Sequence, residues 1–370
     1  MSMRRSAALA ANIGMISLLL TGCWDVQQLT GKKLVNGISI DITDDNHFHG
    51  TVRAIVLESK GGGQFDVKDE LMDAIGDSTS NIGLEIDNMM PGTLEASKTH
   101  VIILGEKLAK KGILPSLESF YRNPKGYLRS NILISSGEAA EVLAFEPIEH
   151  SPVAFGIKQI FDGAVVKTVI PDQTLFTVWS QFSEPGEDPI VPMIHKVGDK
   201  ALSVNDIALF NGDRFTGVKL RGEDGTILLL MDNTIGKQAV MNIPVQQRVI
   251  SFGANKLKRS MKVKADPGTG KIECLIKVDL YGSIISYPSK LERSIDREKL
   301  NRELAEWLNK EAAVVTNRMQ KANCDALGIG RHLRVRYPKL WKSVDWEEKY
   351  KDVTIKPTFQ VHITSTGILS

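Results

Sequence analysis

The stretch "QQRVISFGANKLKRSMKVKADPGTGKIECLIKVDLYGSI", residues 246–284, decides the fold of the C-terminal part of the chain. Apolar and polar residues alternate on both sides of "DPGTG" (266–270), and a period of two is typical of strands with one buried face. The Pro and Gly residues favour a tight turn, so the pattern predicts two strands joined there. Cys274 shares its alternation with Ile272 and Ile276, which places its thiol on the buried face.

A long amphipathic helix is predicted after these strands. Its apolar residues recur on one helical stripe, at Leu291, Ile295, Leu300, Leu304, Trp307, Leu308, Val315 and Met319. The closing stretch "VTIKPTFQVHITSTGIL" (353–369) alternates again and predicts a last strand. The pattern therefore predicts a C-terminal domain, residues 247–370, in which a sheet packs on one long helix.

Strand and helix patterns alternate in the N-terminal half. Short apolar segments predict strands at 34–41, 50–59, 99–105 and 130–136, whereas the spacing of apolar residues predicts helices at 67–83, 107–123, 137–146, 152–162 and 173–183. The stretch "SEPGEDP" (183–189) combines Pro, Gly and acidic residues, as linkers often do. We therefore expect an N-terminal α/β domain over residues 23–187.

The middle of the chain has a β-rich pattern. "NDIALFNGDRFTGVKL" (205–220) predicts a hairpin with Asn211 and Gly212 in its turn. Asp224 and Gly225 indicate a second turn before the apolar run "TILLLM", which has the length of a core strand. We therefore expect a small β-rich middle domain at 190–246. The predicted fold class is α+β, or mixed α/β, with three domains, each a mostly antiparallel or mixed sheet packed with helices.

The N-terminus has the features of an export signal. Arg4 and Arg5 precede an apolar block, residues 7–20, which is shorter than the ~20 apolar residues of a transmembrane helix. The block ends in a pattern typical of a bacterial lipobox, with Leu20, Thr21 and Gly22 as the expected recognition residues of signal peptidase II before Cys23.

Cys23 is then the predicted lipid attachment site and the first residue of the mature protein, and residues 1–22 are the cleaved signal peptide. The alternative is a small buried thiol in the first strand. Two or more acyl chains hold a protein stably at a membrane surface, so a lipoprotein needs no spanning helix.

Composition limits the classes of partner and the redox state. The 370-residue chain has 42% hydrophobic residues and a formal net charge of +2, so we expect no basic face and no nucleic-acid partner. Of its 3 cysteines, Cys274 and Cys324 remain after lipidation of the first. A disulfide between them is conceivable outside the cell, but buried free thiols are the favoured interpretation.

Candidate catalytic and metal residues do not form a recognised pattern. His47 and His49 stand among turn-forming residues, and the Gly61–Gly63 run lacks the Lys-Ser/Thr of a phosphate-binding loop. Ser136 lacks the preceding glycine pattern of a nucleophile elbow. No triad partner is evident in the sequence for His100, His195 and His332. We therefore expect no catalytic residue, no cofactor and no metal site.

A basic and aromatic run, "DALGIGRHLRVRYPKLWKSVDW" (325–346), is the most distinctive segment near the C-terminus. One interpretation is a solvated helix whose cations extend over packed aromatic rings. The other is a surface for a protein partner, since cations and aromatics are enriched together at interfaces. On this second interpretation Arg334 and Lys339 form the interface, while Tyr337 and Trp341 pack inward.

Over essentially its whole length the chain resembles the Ger(x)C family, the lipoprotein C subunits of nutrient germinant receptors in endospore-forming bacteria. The residues that carry the resemblance are Gly22-Cys23-Trp24-Asp25 and Leu29, "VNGISID" (35–41), "ALGIGRHLRVRYPKLWKS" (326–343) and the closing "STGIL". Family members often have Arg-Glu-Leu-type residues where this chain has Val26-Gln27-Gln28, and Phe-Gly-Phe-Gly where it has Leu327-Gly328-Ile329-Gly330. Both departures keep the apolar and glycine pattern.

The resemblance implies a three-domain α/β protein, lipid-anchored on the outer face of the spore inner membrane. It also implies that the protein acts without catalysis, with a multi-spanning A subunit and a permease-like B subunit, in germination triggered by small nutrients. The alternatives are a solute-binding lipoprotein of an uptake system, which would have two similar lobes around a cleft, and a tethered hydrolase.

Overall fold

A nine-stranded mixed sheet dominates the N-terminal two thirds of the protein. The computed structural model describes residues 32–61, 64–90, 92–123, 127–146, 152–245, 248–266, 268–286 and 296–365. The strands of this first sheet are β1 Lys32–Ile42, β2 Phe48–Gly61, β3 Gln64–Gly76, β4 Thr93–Glu95, β5 Val101–Gly105, β6 Asn131–Ser135, β7 Ile190–Val197, β8 Ala201–Asn211 and β9 Arg214–Arg221. The predicted signal peptide, the lipobox and Cys23 lie outside the described residues.

The order of this first sheet is β3-β2-β1-β5-β6-β7-β8-β9, with β4 paired to β1. Its centre is parallel, because β1, β5, β6 and β7 run in one direction. Antiparallel pairs extend it on both sides, with β2 and β3 at one edge and β8 and β9 at the other.

Helices cover both faces of the parallel centre. They are α1 Thr79–Met89, α2 Glu106–Lys111, α3 Leu114–Tyr121, α4 Ala139–Leu143, α5 Val153–Val166 and α6 Leu175–Ser183. Val101 and Ile103 of β5 pack in the cluster that contains α4 and α5, whereas Ile102 and Leu104 pack in the cluster that contains α1, α2, α3 and α6. β5 is thus buried on both faces, which explains its continuous apolar sequence.

The second sheet has four strands and one buried face. Its strands are β10 Ala239–Val245, β11 Arg248–Ala265, β12 Ile272–Ser286 and β13 Thr354–Ser365. The helix α7 Glu223–Met231 precedes the sheet in sequence, and α8 Arg297–Lys321 lies between β12 and β13. The order is β10-β11-β12-β13, antiparallel except for the parallel pair of β12 and β13. The apolar stripe of α8 packs on this sheet, with Leu304, Leu308 and Val315 fully buried.

Three short helices lie between α8 and β13: α9 Ile329–Arg336, α10 Pro338–Ser343 and α11 Trp346–Lys349. Short 3-10 helices occur at Tyr127–Arg129 and Tyr350–Asp352. No described helix is both long enough and apolar enough to cross a bilayer.

The mixed α/β class is confirmed, as are the strand pair joined at 266–270, the long helix and the β8–β9 hairpin. Cys274 and Cys324 are both buried free thiols, and burial raises the pKa of Cys274 to about 12. Leu291 and Ile295, the first two residues of the predicted stripe, lie outside the described residues.

The helix predicted at 67–83 is wrong. This segment is strand β3 followed by the start of α1. The antiparallel ladder with β2 holds β3 in the sheet. Ion pairs add to it, because Asp69 contacts Arg53 of β2 and Glu70 contacts Lys33 of β1. These contacts come from distant parts of the chain and override the local apolar spacing.

The apolar run 226–231 is the helix α7, not the expected strand. Every residue from Gly225 to Met231 is buried, so the helix has no polar face that would show its period in the sequence. Strands β7 to β9 join the first sheet through the parallel pair of β6 and β7. The predicted middle domain therefore has no separate sheet among the described residues, and the three domain boundaries stay a prediction.

Candidate functional site

The segment 183–189, which we call the acidic junction, is a fixed contact between the two halves of the protein. The carbonyl oxygen of Gly186 accepts a hydrogen bond from the Arg331 N–H (2.9 Å), and the Asp188 N–H donates to the carbonyl oxygen of Asp325 (3.1 Å). The sequence predicts a linker here. The structure places these residues against the start of α9 instead, so this interpretation needs correction.

Two carboxylates connect the acidic junction, the β8–β9 turn and α9. Asp188 accepts hydrogen bonds from the N–H groups of Gly212 (2.8 Å) and Asp325 (2.7 Å). Asp325 in turn accepts from the N–H groups of Ile329 (2.9 Å) and Gly330 (2.7 Å), which are free donors at the start of a helix. We call Asp188 and Asp325 the carboxylate pair.

Burial raises the pKa of both members of the carboxylate pair. Desolvation is the main cause in each case, and the backbone N–H donors oppose it. The pKa of Asp325, which is completely buried, rises to about 7. The pair thus combines strong directional hydrogen bonds with a cost for ionisation.

Glycine is required at two positions of this contact. Gly328 has φ +63°, a left-handed conformation that favours glycine. A Cβ on Gly330 would lie 2.5 Å from Cε2 of Trp346 and 2.7 Å from Cα of Gly186. The "GIG" of the sequence therefore serves a backbone turn and a close approach between the acidic junction and an aromatic ring.

The structure separates the two predicted interface residues. Arg334 of α9 is half-buried and pairs with Glu184 of the acidic junction, and its neighbour Arg331 pairs with Glu187 at 2.7 Å. Lys339 of α10 is exposed and has no ion pair with the described part of the chain. Close to it in sequence, Val335 is 74% exposed.

The aromatic residues of the run pack inward, as expected. Tyr337 and Trp341 are partly buried against the core of the second sheet. The ring of Trp346 lies 5.7 Å from that of Trp341 and 5.8 Å from that of Tyr350, measured between centroids. Tyr350 is almost fully buried. The rings thus pack the α9–α11 segment against the core, while Arg336, Lys339 and Lys342 of this segment are exposed to solvent.

Candidate catalytic side chains do not assemble. Ser136, His195 and Asp206 line one cavity of about 590 Å³. Within the described residues the Ser136 hydroxyl has no hydrogen-bond partner, and Asp206 faces Lys219 (3.6 Å) and Arg221 (3.4 Å). No base is therefore placed on a nucleophile in this cavity.

The histidines expected in a turn lie within hydrogen-bond distance of nearby carboxylates. The Nδ1 of His47 lies 2.7 Å from Asp77, and the Nε2 of His49 lies 3.0 Å from Asp73. Over the described ranges, no three His, Cys, Asp or Glu side chains are grouped as metal ligands would be.

Sequence reasoning finds the basic and aromatic run but misses its acidic partners. These partners, Glu184, Glu187 and Asp188, lie far from the run in the sequence. The only signal in the sequence is the density of acidic residues in the segment 183–189. Their composition matches that of a linker, so the pairing becomes visible only in the fold.

The fold and the site define a class: a two-sheet α/β protein whose halves are joined by buried carboxylates. Its α9–α10 segment exposes an apolar and a cationic side chain, Val335 and Lys339. Family comparison then gives the particular family. The model described as "Spore germination protein N-terminal domain" matches residues 25–196, and the one described as "Spore germination B3/GerAC like, C-terminal" matches residues 205–367. The chain belongs to the Ger(x)C family of spore germination proteins, which confirms the resemblance.

Relatives match over almost their whole length. The spore germination protein GerQC of Bacillus cereus is 23% identical, with 95% of this chain and 97% of that protein covered. Spore germination protein KC of Bacillus subtilis is also 23% identical, with 99% and 97% covered. The crystal structure of the GerBC protein has a TM-score of 0.59 at 17% identity, covering 92% of this chain and all of that one, and so shares the fold.

We predict that Gly330→Ala destabilises the protein by about 1–3 kcal/mol, because the added methyl group overlaps the Trp346 ring and the Gly186 backbone. The measurement is chemical denaturation. Gly163→Ala in α5 is the control, because a Cβ there meets nothing within 4 Å, and we expect a gain of about 0.5–1 kcal/mol. An unchanged Gly330→Ala protein would contradict the close packing.

We predict a pH-dependent effect of Asp325→Asn. The folded-state pKa of Asp325 is about 7, above the ordinary 3.8, so its contribution to stability is complete below 3.8 and is lost as pH rises through 7. The loss reaches about 1.4 kcal/mol per pH unit between these values. The asparagine does not titrate, so the deficit of the variant against the wild type should be larger at pH 5 than at pH 8. Equal deficits in thermal melts at both pH values would refute the raised pKa.

Proposed function

We propose that the protein is a membrane-anchored lipoprotein subunit of a nutrient germinant receptor, required for spore germination in response to small nutrients. It acts without catalysis, together with a multi-spanning A subunit and a permease-like B subunit, on the outer face of the spore inner membrane. The observation that carries the proposal is the family match, which begins at residue 25 and extends to residue 367.

The lipid anchor is supported by the start of the chain. The lipobox pattern Leu20-Thr21-Gly22 precedes Cys23, and β1 begins only nine residues later, at Lys32. Nine extended residues span at most about 30 Å. A lipid on Cys23 would therefore keep the N-terminal end of β1 close to the headgroups, with no spanning helix needed.

A role through contacts is supported by what the described side chains do. The cavity with Ser136 and His195 lacks a paired nucleophile and base, whereas the α9–α10 segment exposes Val335 and Lys339 above packed aromatic rings. We propose that this segment docks on the A or B subunit. Arg334 belongs to the same surface, but it also stabilises the fold through Glu184.

The alternative, a solute-binding lipoprotein of an uptake system, requires two similar α/β lobes around a cleft. The described residues form one nine-stranded and one four-stranded sheet, which differ in size and in strand direction. Tight binding of a nutrient by the purified protein in calorimetric titration would favour this alternative over the receptor subunit.

Cys23→Ala should abolish acyl labelling and leave a precursor of higher mass, because only a thiol can form the thioether. Labelling with a radioactive fatty acid and mass spectrometry measure both effects. Gly22→Ala is the matched control, since it keeps a small residue at the cut and should be labelled normally. Normal labelling of Cys23→Ala would rule out the lipoprotein assignment.

Lys339→Glu should slow nutrient-triggered germination and leave the melting temperature unchanged, because the side chain is exposed and its surface substitution costs within about 0.5 kcal/mol. Lys310→Glu, exposed on α8, is the control with the same change of charge and should germinate normally. Arg334→Glu should lower both germination and stability, the latter by about 0.5–1 kcal/mol, since it faces Glu184. Normal germination of Lys339→Glu would exclude this docking surface.

A further inference from the structure

The outer face of the second sheet is strongly basic, although the sequence predicts no basic face. Strand β11 points Lys256, Lys258, Lys262 and Lys264 outward, and all four are exposed. The residues between them include Val263, which is buried in the core. Net charge could not reveal this face, because it averages over the whole molecule.

Neighbouring strands extend the same face, which we call the lysine face. In register with the outward residues of β11 are Lys277 and Tyr281 on β12, and the next strand, β13, adds Lys356 and His362. Two carboxylates share the surface, Glu273 and Asp279. Six lysines against two carboxylates leave a surplus of four positive charges, twice the formal net charge of the whole chain.

Two of the six lysines of this face lie over one aromatic ring. The Nζ atoms of Lys256 and Lys258 lie 5.5 and 5.6 Å from the centroid of the Tyr281 ring, and the His362 ring stacks on it at 4.6 Å. Within the described chain, no carboxylate forms a salt bridge with Lys256, Lys258, Lys262 or Lys277. Their mutual repulsion is therefore largely uncompensated inside the protein.

Protection of a sheet edge does not explain these cations. Natural proteins place lysine on edge strands to prevent unwanted pairing. In this sheet β11 and β12 are the two inner strands, with β10 and β13 at the edges. Five of the six lysines stand on the inner strands, so a different role is required.

We propose that the lysine face binds the anionic phospholipid headgroups of the membrane to which the protein is anchored. The cations are spread over three strands, about 4.8 Å apart, so they match a plane of phosphates better than one discrete anion. Basic residues next to an anionic bilayer each strengthen binding about fivefold. The inference rests on the proposed function, because the proposed lipid anchor is what brings a bilayer within reach of this face.

The test uses residues 23–370 with Cys23→Ser, which keep every described element and cannot be acylated. We expect cosedimentation with vesicles of equimolar phosphatidylcholine and phosphatidylglycerol, but not with phosphatidylcholine alone. Binding should disappear in about 1 M salt, where the screening length is about 3 Å. Because this protein has no lipid, its result is independent of the acylation of Cys23.

Removal of three lysines should weaken vesicle binding about a hundredfold. The variant is K256Q/K258Q/K277Q, and the matched control is K299Q/K310Q/K321Q, which removes the same charge from exposed positions on α8. The control should bind like the unsubstituted protein. Equal melting temperatures would show that both variants are folded.

Three results would overturn the proposal. The first is failure of the unsubstituted protein to bind phosphatidylglycerol vesicles at low salt. The second is an equal loss of vesicle binding in both triple variants, which would show that binding depends on the total charge and not on the lysine face. The third is displacement by millimolar glycerol 3-phosphate, which would indicate a discrete site for a soluble anion.

Discussion

The carboxylate pair of Asp188 and Asp325 is the constraint on which the arrangement of the two halves depends. Both oxygens of each carboxylate accept hydrogen bonds from backbone N–H groups. One of the two donors to Asp188 is the N–H of Asp325, which links the two residues directly. Burying two carboxyl groups costs free energy, which the four hydrogen bonds partly offset. The geometry is specific because each oxygen has one donor.

This constraint explains the residues around it. α9 begins at Ile329 because Asp325 satisfies its first free donors, and Gly328 provides the left-handed turn before it. With α9 fixed, Arg331 and Arg334 reach Glu187 and Glu184 of the acidic junction. The next cations, Arg336, Lys339 and Lys342, are exposed and have no ion pair with the described residues. The boundary between structural and exposed charge therefore lies inside the helix.

Much of the fold is predictable from the sequence where one element has one buried face. The alternation in β11 and β12 and the stripe of α8 show their period directly, and both are confirmed. The prediction fails where burial removes the period, as in α7, and where pairing with another strand decides the structure, as in β3. It also fails at the acidic junction, whose composition is that of a linker while its role is to bind α9. Local patterns cannot report contacts between residues more than a hundred positions apart, such as Asp188 and Asp325.

The distribution of charge follows from the same fold. Arg331 and Arg334 of α9 are paired with carboxylates across the junction, where partial burial strengthens each pair. The lysines of β11 and β12 stand on a solvated sheet face and remain mostly unpaired. Arginine suits fixed, geometrically specific pairs, whereas lysine is a mobile point charge on a flexible stem. The choice of cation thus separates a rigid internal joint from a surface that can adapt to a fluid layer of phosphates, and a chain with almost no net charge can carry both.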